Sequence, residues 1–282
     1  MKKIWIFTLS LLLTLGITQS CKKTPKSAEE LGDEEIGLMI KSDLLSEDVI
    51  EDITGWVDGM NTSSRPGSVE LSSYQAASHP MPSCVTVNHH ASGDTLYVDL
   101  IFDPNGCQMP NGHVYAGTVH IQKYLDVQSA SYAVNVSFEN FYVDNVHIEG
   151  SFTRTRTWTN ANGHPESTVS FDLGLTWPNG DTASREGIRT REWTEGYQTP
   201  TRSDDVFLIT GNWHVMQRNG DEYEISVLTP LRREMSCRWI VSGVMEIVFD
   251  GDRYELDFGN GTCDDEATLT LPNGQTRTVY LQ

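Results

Sequence analysis

Two short segments repeat an alternation of cationic and aromatic side chains. Arg154-Thr155-Arg156-Thr157-Trp158 and Arg189-Thr190-Arg191-Glu192-Trp193 share the spacing Arg-x-Arg-x-Trp. Side chains alternate between the faces of an extended backbone, so Arg154, Arg156 and Trp158 share one face, as do Arg189, Arg191 and Trp193. If the two strands pair, guanidinium over indole gives cation–π contacts worth about 0.5–1 kcal/mol at an exposed site. Such a surface is either a basic and aromatic platform for a glycan or an acidic peptide, or a structural ladder on a solvent face. Trp177, Trp213 and Trp239 read as core or edge packing rather than ligand shelves.

Other chemistry is sparser. Asp257, Asn260, Asp264 and Asp265 lie in a glycine-rich stretch and offer the hard oxygen ligands that calcium takes. Their spacing is not that of an EF-hand loop, and Asx-rich turns commonly bond their own backbone. His89, His90, His113 and His120 surround the first pair of internal cysteines, as a transition-metal site would require. Adjacent histidines on a strand point to opposite faces, so His89 and His90 do not readily share one ion, and surface histidines are the simpler reading. The chain has no GxSxG, HExxH, P-loop or GxGxxG pattern. Its 39 acidic residues offer many carboxylate pairs for glycoside hydrolysis and single out none. No cofactor is implied beyond the calcium option, and no enzyme activity is expected.

Four cysteines follow Cys21: Cys84, Cys107, Cys237 and Cys263. An even number in an oxidising compartment reads as two disulfides. Three pairings are open. An internal echo favours Cys84 with Cys107 and Cys237 with Cys263, because each pair brackets a similar strand, turn and strand: Gly93-Asp94 and Tyr97-Val98-Asp99 in the first, Gly251-Asp252 and Tyr254 to Asp257 in the second. Zinc is the rival, but there is no CxxC pair, and no histidine lies near Cys237 or Cys263 in sequence.

The elements that must hold these residues are legible from period and punctuation. Leu96, Val98, Leu100 and Phe102 alternate with other side chains, as do Tyr132, Val134, Val136 and Phe138, and Tyr254, Leu256 and Phe258. Ser92-Gly93, Asn105-Gly106, Asn111-Gly112, Asn179-Gly180, Asn219-Gly220, Asp250-Gly251 and Asn273-Gly274 punctuate them as turns. The body is therefore mainly β, an antiparallel meander that forms a sandwich or a repetitive extended sheet. Before it, Ile36, Met39, Ile40, Leu44 and Leu45, then Val49, Ile50, Ile53 and Trp56, fall at helical spacing on either side of Ser46-Glu47. This predicts one or two short amphipathic helices. Asn61 to Gly67 reads as a loop.

The first residues specify an address. Lys2-Lys3, an apolar run from Ile4 to Ile17 and Thr18-Gln19-Ser20 before Cys21 have the order of a secretory leader. The run is shorter than the roughly 20 residues that span a bilayer. A cysteine at this place is the acylation site of a lipoprotein, with Lys22 to Lys26 as a tether. The expected organisation is leader 1–20, lipidated tether and helical neck 21–67, and disulfide-stabilised β domain 68–282, with two repeat-related halves as an option. The net charge is −19, and loss of the leader removes only Lys2 and Lys3, so phosphate backbones are repelled and nucleic acid is excluded as a partner.

Together, Cys84-Val85-Thr86-Val87 with Cys107, the Arg-x-Trp segments at Arg156 and Arg191, and Ser203-Asp204-Asp205 before Ile209-Thr210-Gly211 resemble an uncharacterised group of Bacteroidota-type envelope lipoproteins. The run from Leu256 to Asp265 followed by Asn273-Gly274 carries the resemblance furthest. It implies an outer-membrane lipid anchor, β-rich folding and paired cysteines, and no reaction. By analogy, Lys22 after Cys21 fits retention in the outer membrane. The expected role is structural or interaction-based, through an envelope protein or a glycan, with a glycan-binding accessory on the Arg/Trp face as the alternative and a hydrolase third.

Overall fold

The computed structural model describes residues 32–65, 68–74, 81–124, 131–199 and 201–281. The leader, Cys21 and the Lys22–Lys26 tether lie outside the described residues. A single helix, α1 (Asp33–Gly59), comes first. A hairpin of β1 (Met60–Arg65) and β2 (Ser68–Tyr74) follows as a sheet of its own. The main sheet runs β3 (Val85–Ser92), β4 (Thr95–Gln108), β5 (Val114–Tyr124), β6 (Ser131–Val143) and β7 (Val146–Thr157). It continues through β8 (Glu166–Thr176), β9 (Thr182–Glu195), β10 (Val206–Gln217) and β11 (Glu222–Glu234). β12 (Ile240–Phe249), β13 (Asp252–Asn260), β14 (Glu266–Thr270) and β15 (Thr276–Tyr280) complete it. The thirteen strands pair antiparallel in chain order from β3 to β15, an uninterrupted meander. Among the described residues no helix is long and apolar enough to cross a membrane.

The expected helices are one, and the expected neck is the centre of the body. α1 runs through Ser46 because the hydroxyls of Ser42 and Ser46 donate to the carbonyls of Met39 and Ser42, both at 2.7 Å, so neither buried group opposes the helix. Ile36, Met39, Val49, Ile53, Trp56 and Val57 belong to the same hydrophobic core as the inward residues of the strands. Trp56 meets Phe102 and Tyr115 at 5.8 and 6.1 Å. A boundary at residue 67 therefore divides one body, and it also separates β1 from its partner β2. The segment after the helix was expected to loop; its polar residues instead form a ladder, since backbone pairing needs no apolar side chain.

Bulges give the sheet its curvature. Register slips where Gly117 opposes Asn140: its φ is +96°, and a Cβ there would stand 2.0 Å from the Asn140 carbonyl oxygen. Asn105-Gly106, expected as a turn, is another such irregularity inside β4. The other pairs expected as turns fall at the connections between strands. The β6–β7 turn uses Asp144-Asn145, both left-handed with φ of 50° and 66°. Coiling brings the β4–β5 turn and the β11–β12 connection to the walls of one cavity along α1, lined by Asn111, His113, Cys237 and Arg238.

Both cysteine pairs form as the echo proposes. Cys84–Cys107 closes the base of the β3–β4 hairpin, and Cys237–Cys263 closes the base of β12–β13. The two units are the two flanks of one sheet.

Candidate functional site

Register places the arginines. Across the concave face one row reads Lys123, Val134, Arg154, Val169, Arg189 and Gly211 on β5 to β10. The next inward row includes Arg156, Ser167, Arg191 and Ile209. β7 and β9 do not pair, because β8 lies between them and Val169 stands opposite both Arg154 and Arg189. The cations face α1, not solvent: Arg154 and Arg189 are each 6% exposed. The expectation of a solvent-face ladder is corrected here. Desolvating a guanidinium is tolerated where carboxylates meet it, and α1 supplies those at helical intervals: Asp43, Glu47, Glu51 and Asp58.

The pairings run the length of the helix. Arg185 and Arg189 both donate to Asp43, the latter at 2.8 Å, and Arg189 also donates to Glu47. Glu51 pairs with Arg191 at 3.3 Å and with Arg202. Asp58 accepts from Arg154 at 2.8 and 3.0 Å, from Arg156 and from the Tyr132 hydroxyl. Burial alone would raise the Asp58 carboxyl, but Arg154 foremost, with Arg156, overcomes it and holds the group at about 2. Burial lowers Arg185 to about 10, against the pull of Asp43. Lys123 closes the helix end, donating to the carbonyls of Val57 and Met60 at 3.0 and 3.3 Å. Burial, together with Arg154 and Arg156, depresses it to about 8.

A cleft of about 370 Å³ opens beside this network, where the C-terminal half of α1 meets the long connections after β7 and β9. Five of the six predicted platform residues line it: Arg154, Arg156, Trp158, Arg191 and Trp193. Arg189 lies deeper. Trp158 stands just beyond β7 and is 52% exposed, with the Arg156 guanidinium 4.6 Å from its ring centre. Trp193 stacks on Phe207 at 5.5 Å, and Arg191 lies 3.7 Å over Phe207. Asp205 forms part of the wall; burial, then Asp204 beside it, pushes its carboxyl up to about 6. The arrangement offers two aromatic rings, fixed donors and one readily protonated acid.

The other predicted residues do not converge. His89 and His90 are exposed on β3, and His90 stacks on Tyr97 at 4.8 Å. His120 bonds Asp99 at 2.7 Å and Glu139 at 3.2 Å. His113 bonds Asp144 at 2.6 Å and approaches Asp48 at 3.4 Å; these partners raise it to about 9. Among the described residues no group of three or more His, Cys, Asp or Glu is placed to hold a metal ion. Asp257 and Asp264 accept the N–H groups of Gly259 and Glu266, and Asn260 accepts from Thr262, so these oxygens serve their own turns.

Arg185, Arg202 and the helix acids were not singled out from sequence, and Asp205 was read only as part of the resemblance and not as a site residue. The available signal was the acidic stripe at 43, 47, 51 and 58 on a helix otherwise rich in apolar residues.

Asp52, unlike Asp43, Glu47, Glu51 and Asp58, meets an amide and a hydroxyl. Its Oδ2 accepts from Asn111 at 2.7 Å and from the Tyr115 hydroxyl at 2.8 Å, yet burial, with Glu51 and Asp48 nearby, raises it to about 6. A carboxyl raised above its unfolded value near 3.9 destabilises the fold once both states are ionised. The penalty is absent below pH 4 and complete above pH 6. Asp52→Asn keeps an acceptor and removes the charge. It is expected to gain up to about 2–3 kcal/mol over wild type at pH 7.5. Little gain is expected at pH 4, as read from urea unfolding at the two pH values.

Comparison with known proteins leaves the site to be read on its own chemistry. No family model, no curated protein and no solved structure matches this chain.

Proposed function

We propose that this protein is an outer-membrane lipoprotein, acylated at Cys21, whose body is a non-enzymatic binding module that takes a glycan in the Trp158–Trp193 cleft. The observation that supports this reading is the meeting of Trp158, from the connection after β7, and Trp193, from β9, in one cleft with Arg156, Arg191 and Glu166. Sugar rings present C–H faces to indoles and hydroxyls to fixed donors and acceptors, which is the composition of this wall. Binding is favoured over turnover because glycoside hydrolysis takes a pair of carboxyls, whereas Glu51 and Asp58 are committed to arginines and Glu166 accepts from Asn160, which leaves Asp205 alone. The acidic surface suits solubility at the envelope, and attachment rests on acyl chains, each methylene contributing ~0.8 kcal/mol.

Titration with neutral and acidic oligosaccharides should change tryptophan fluorescence. Trp158→Ala, at a half-exposed position, should weaken the affinity at least tenfold, about 1.4 kcal/mol, with little loss of stability. No saturable change with any of them, or equal affinity in the variant, would sink the glycan reading. Cys21→Ser should release the protein from membranes; sedimentation with them would sink the anchor.

A further inference from the structure

A second cavity, of about 460 Å³, lies between the N-terminal half of α1 and the concave face of β10 to β13. Trp158 and Trp193 do not reach it, so its role stands or falls apart from the cleft. Its wall is apolar: Leu44 and Leu45 from the helix, Ile209, Ile225, Met245 and Phe258 from the strands. Side chains of this kind, drawn from α1 and from four strands and brought together by the fold, normally interdigitate to crystal-like density and leave no space of this size. The volume is within the range of small-molecule sites, roughly 300–1,000 Å³.

The polar groups in the wall fall into three sets: indole donors, paired acids and cations. Trp177 and Trp213, 6% and 1% exposed, line the cavity, and their indole Nε1 atoms have no hydrogen-bond partner among the described residues. A buried donor left unmatched is costly, and an acceptor carried in by a ligand would relieve it. At the rim stand Lys41, Arg233 and Arg238. The acids around the cavity are already engaged: Asp43 and Glu47 by Arg185 and Arg189, Asp48 and Asp144 by His113. Among the described residues the three rim cations have no carboxylate partner. Arg233 donates to the Arg238 carbonyl, and Arg238 lies 4.9 Å over the ring of Trp239. A largely apolar chamber lined by two tryptophans with unmatched indole donors, and with cations free of carboxylates at its mouth, is complementary to an amphipathic anion.

We infer that this cavity binds an amphipathic anion, a single acyl chain with a carboxylate or phosphate head, the chain lying among Leu44, Ile225, Met245 and Phe258 and the head at Arg233 and Arg238. The ligand is a free fatty acid or a single-chain phospholipid; both present this chemistry.

The test uses the full chain carrying Cys21→Ser, so that no detergent is needed, with dansyl-undecanoic acid as the fluorescent probe. Saturable one-to-one binding, displaced by palmitate and by lysophosphatidate but at least tenfold less well by hexadecanol, is expected. Arg233→Gln with Arg238→Gln should weaken palmitate at least tenfold and leave hexadecanol unchanged, which separates head recognition from greasiness. Leu44→Trp, at a partly buried position of the wall, should abolish binding while the protein stays folded by circular dichroism. Mass spectrometry of extracts from the membrane-purified protein then distinguishes the sources, a free acid or a lysolipid. No saturable binding, equal binding of acid and alcohol, or retained binding in Leu44→Trp would overturn the inference. So would a cavity blocked in the acylated protein and open only in Cys21→Ser, since the occupant would then be the protein's own anchor.

Discussion

Arg189→Leu is expected to lower the unfolding free energy by on the order of 3–5 kcal/mol, the cost of stripping one partner from a buried ion cluster. Arg189 binds Asp43 and Glu47 at once, and both carboxylates sit under the sheet with side chains 19% exposed. After the substitution Asp43 keeps Arg185, while Glu47 keeps only Arg191 at 3.9 Å. The leucine fills the space but answers neither charge. The contrast is the informative part. Changing Asp43 and Glu47 to leucine together with Arg185 and Arg189 to methionine removes both signs of charge at this end of the cluster and leaves Arg191 paired with Glu51 at 3.3 Å, and is expected to cost far less than the single change. Equilibrium urea unfolding at pH 7 reads both. An Arg189→Leu loss below about 1 kcal/mol would mean that water reaches the cluster and that it resembles a surface pair. The arginines hold Asp43 below the ordinary carboxylate range despite its burial, so its contribution is present above about pH 4 and disappears as pH falls through its folded value.

Removal of both disulfides is the second large effect. The bridges span 23 and 26 residues, and each is worth about 3 kcal/mol in the chain-entropy model, so their joint loss approaches 6 kcal/mol if the two sites are independent. That is comparable with the whole stability of a typical domain, about 5–15 kcal/mol. The two single removals should differ in where the protein opens. Serines at 84 and 107 release the base of the β3 edge hairpin, and hydrogen exchange should rise first in β3. Serines at 237 and 263 release the β11–β12 connection that carries Arg238, and probe binding in the apolar cavity should weaken before the sheet melts. Melting curves with and without reductant, beside the two paired variants, decide this. Melting unmoved by reductant would show that the bridges constrain little of the unfolded chain.

Much of the architecture is legible in the sequence. Alternation at Leu96, Val98, Leu100 and Phe102 marks β4 because a half-buried strand must show period two, and Asn-Gly pairs mark hairpins because they accept positive φ at little cost. The cysteine echo was legible for the same reason: hairpins of similar length repeat turn chemistry at similar spacing. Asn105-Gly106 has the same letters and makes a bulge, since local preference fixes the backbone dihedrals and not the partner strand. Helical spacing from Ile36 to Trp56 was also plain. What misled was Ser46-Glu47, a polar pair that reads as a break until the buried environment, with its inward hydroxyls and arginine partners, is known.

The sequence by itself determined a β meander with hairpins at most of its Asx-Gly pairs, a preceding helix, two bracketed cysteine pairs and an alternation that sets Arg154 with Arg156 and Arg189 with Arg191. Only the tertiary structure decided that those arginines point inward, that β8 separates them, and that Asp43, Glu47, Glu51 and Asp58 receive them. The reason is physical. A period of two or 3.6 is a local property of one chain segment, whereas the inside of a curved sheet is defined by what it curves around. Charge favours water for any one side chain considered alone, and that preference reverses only when a helix far away in sequence brings the opposite charge to the same place.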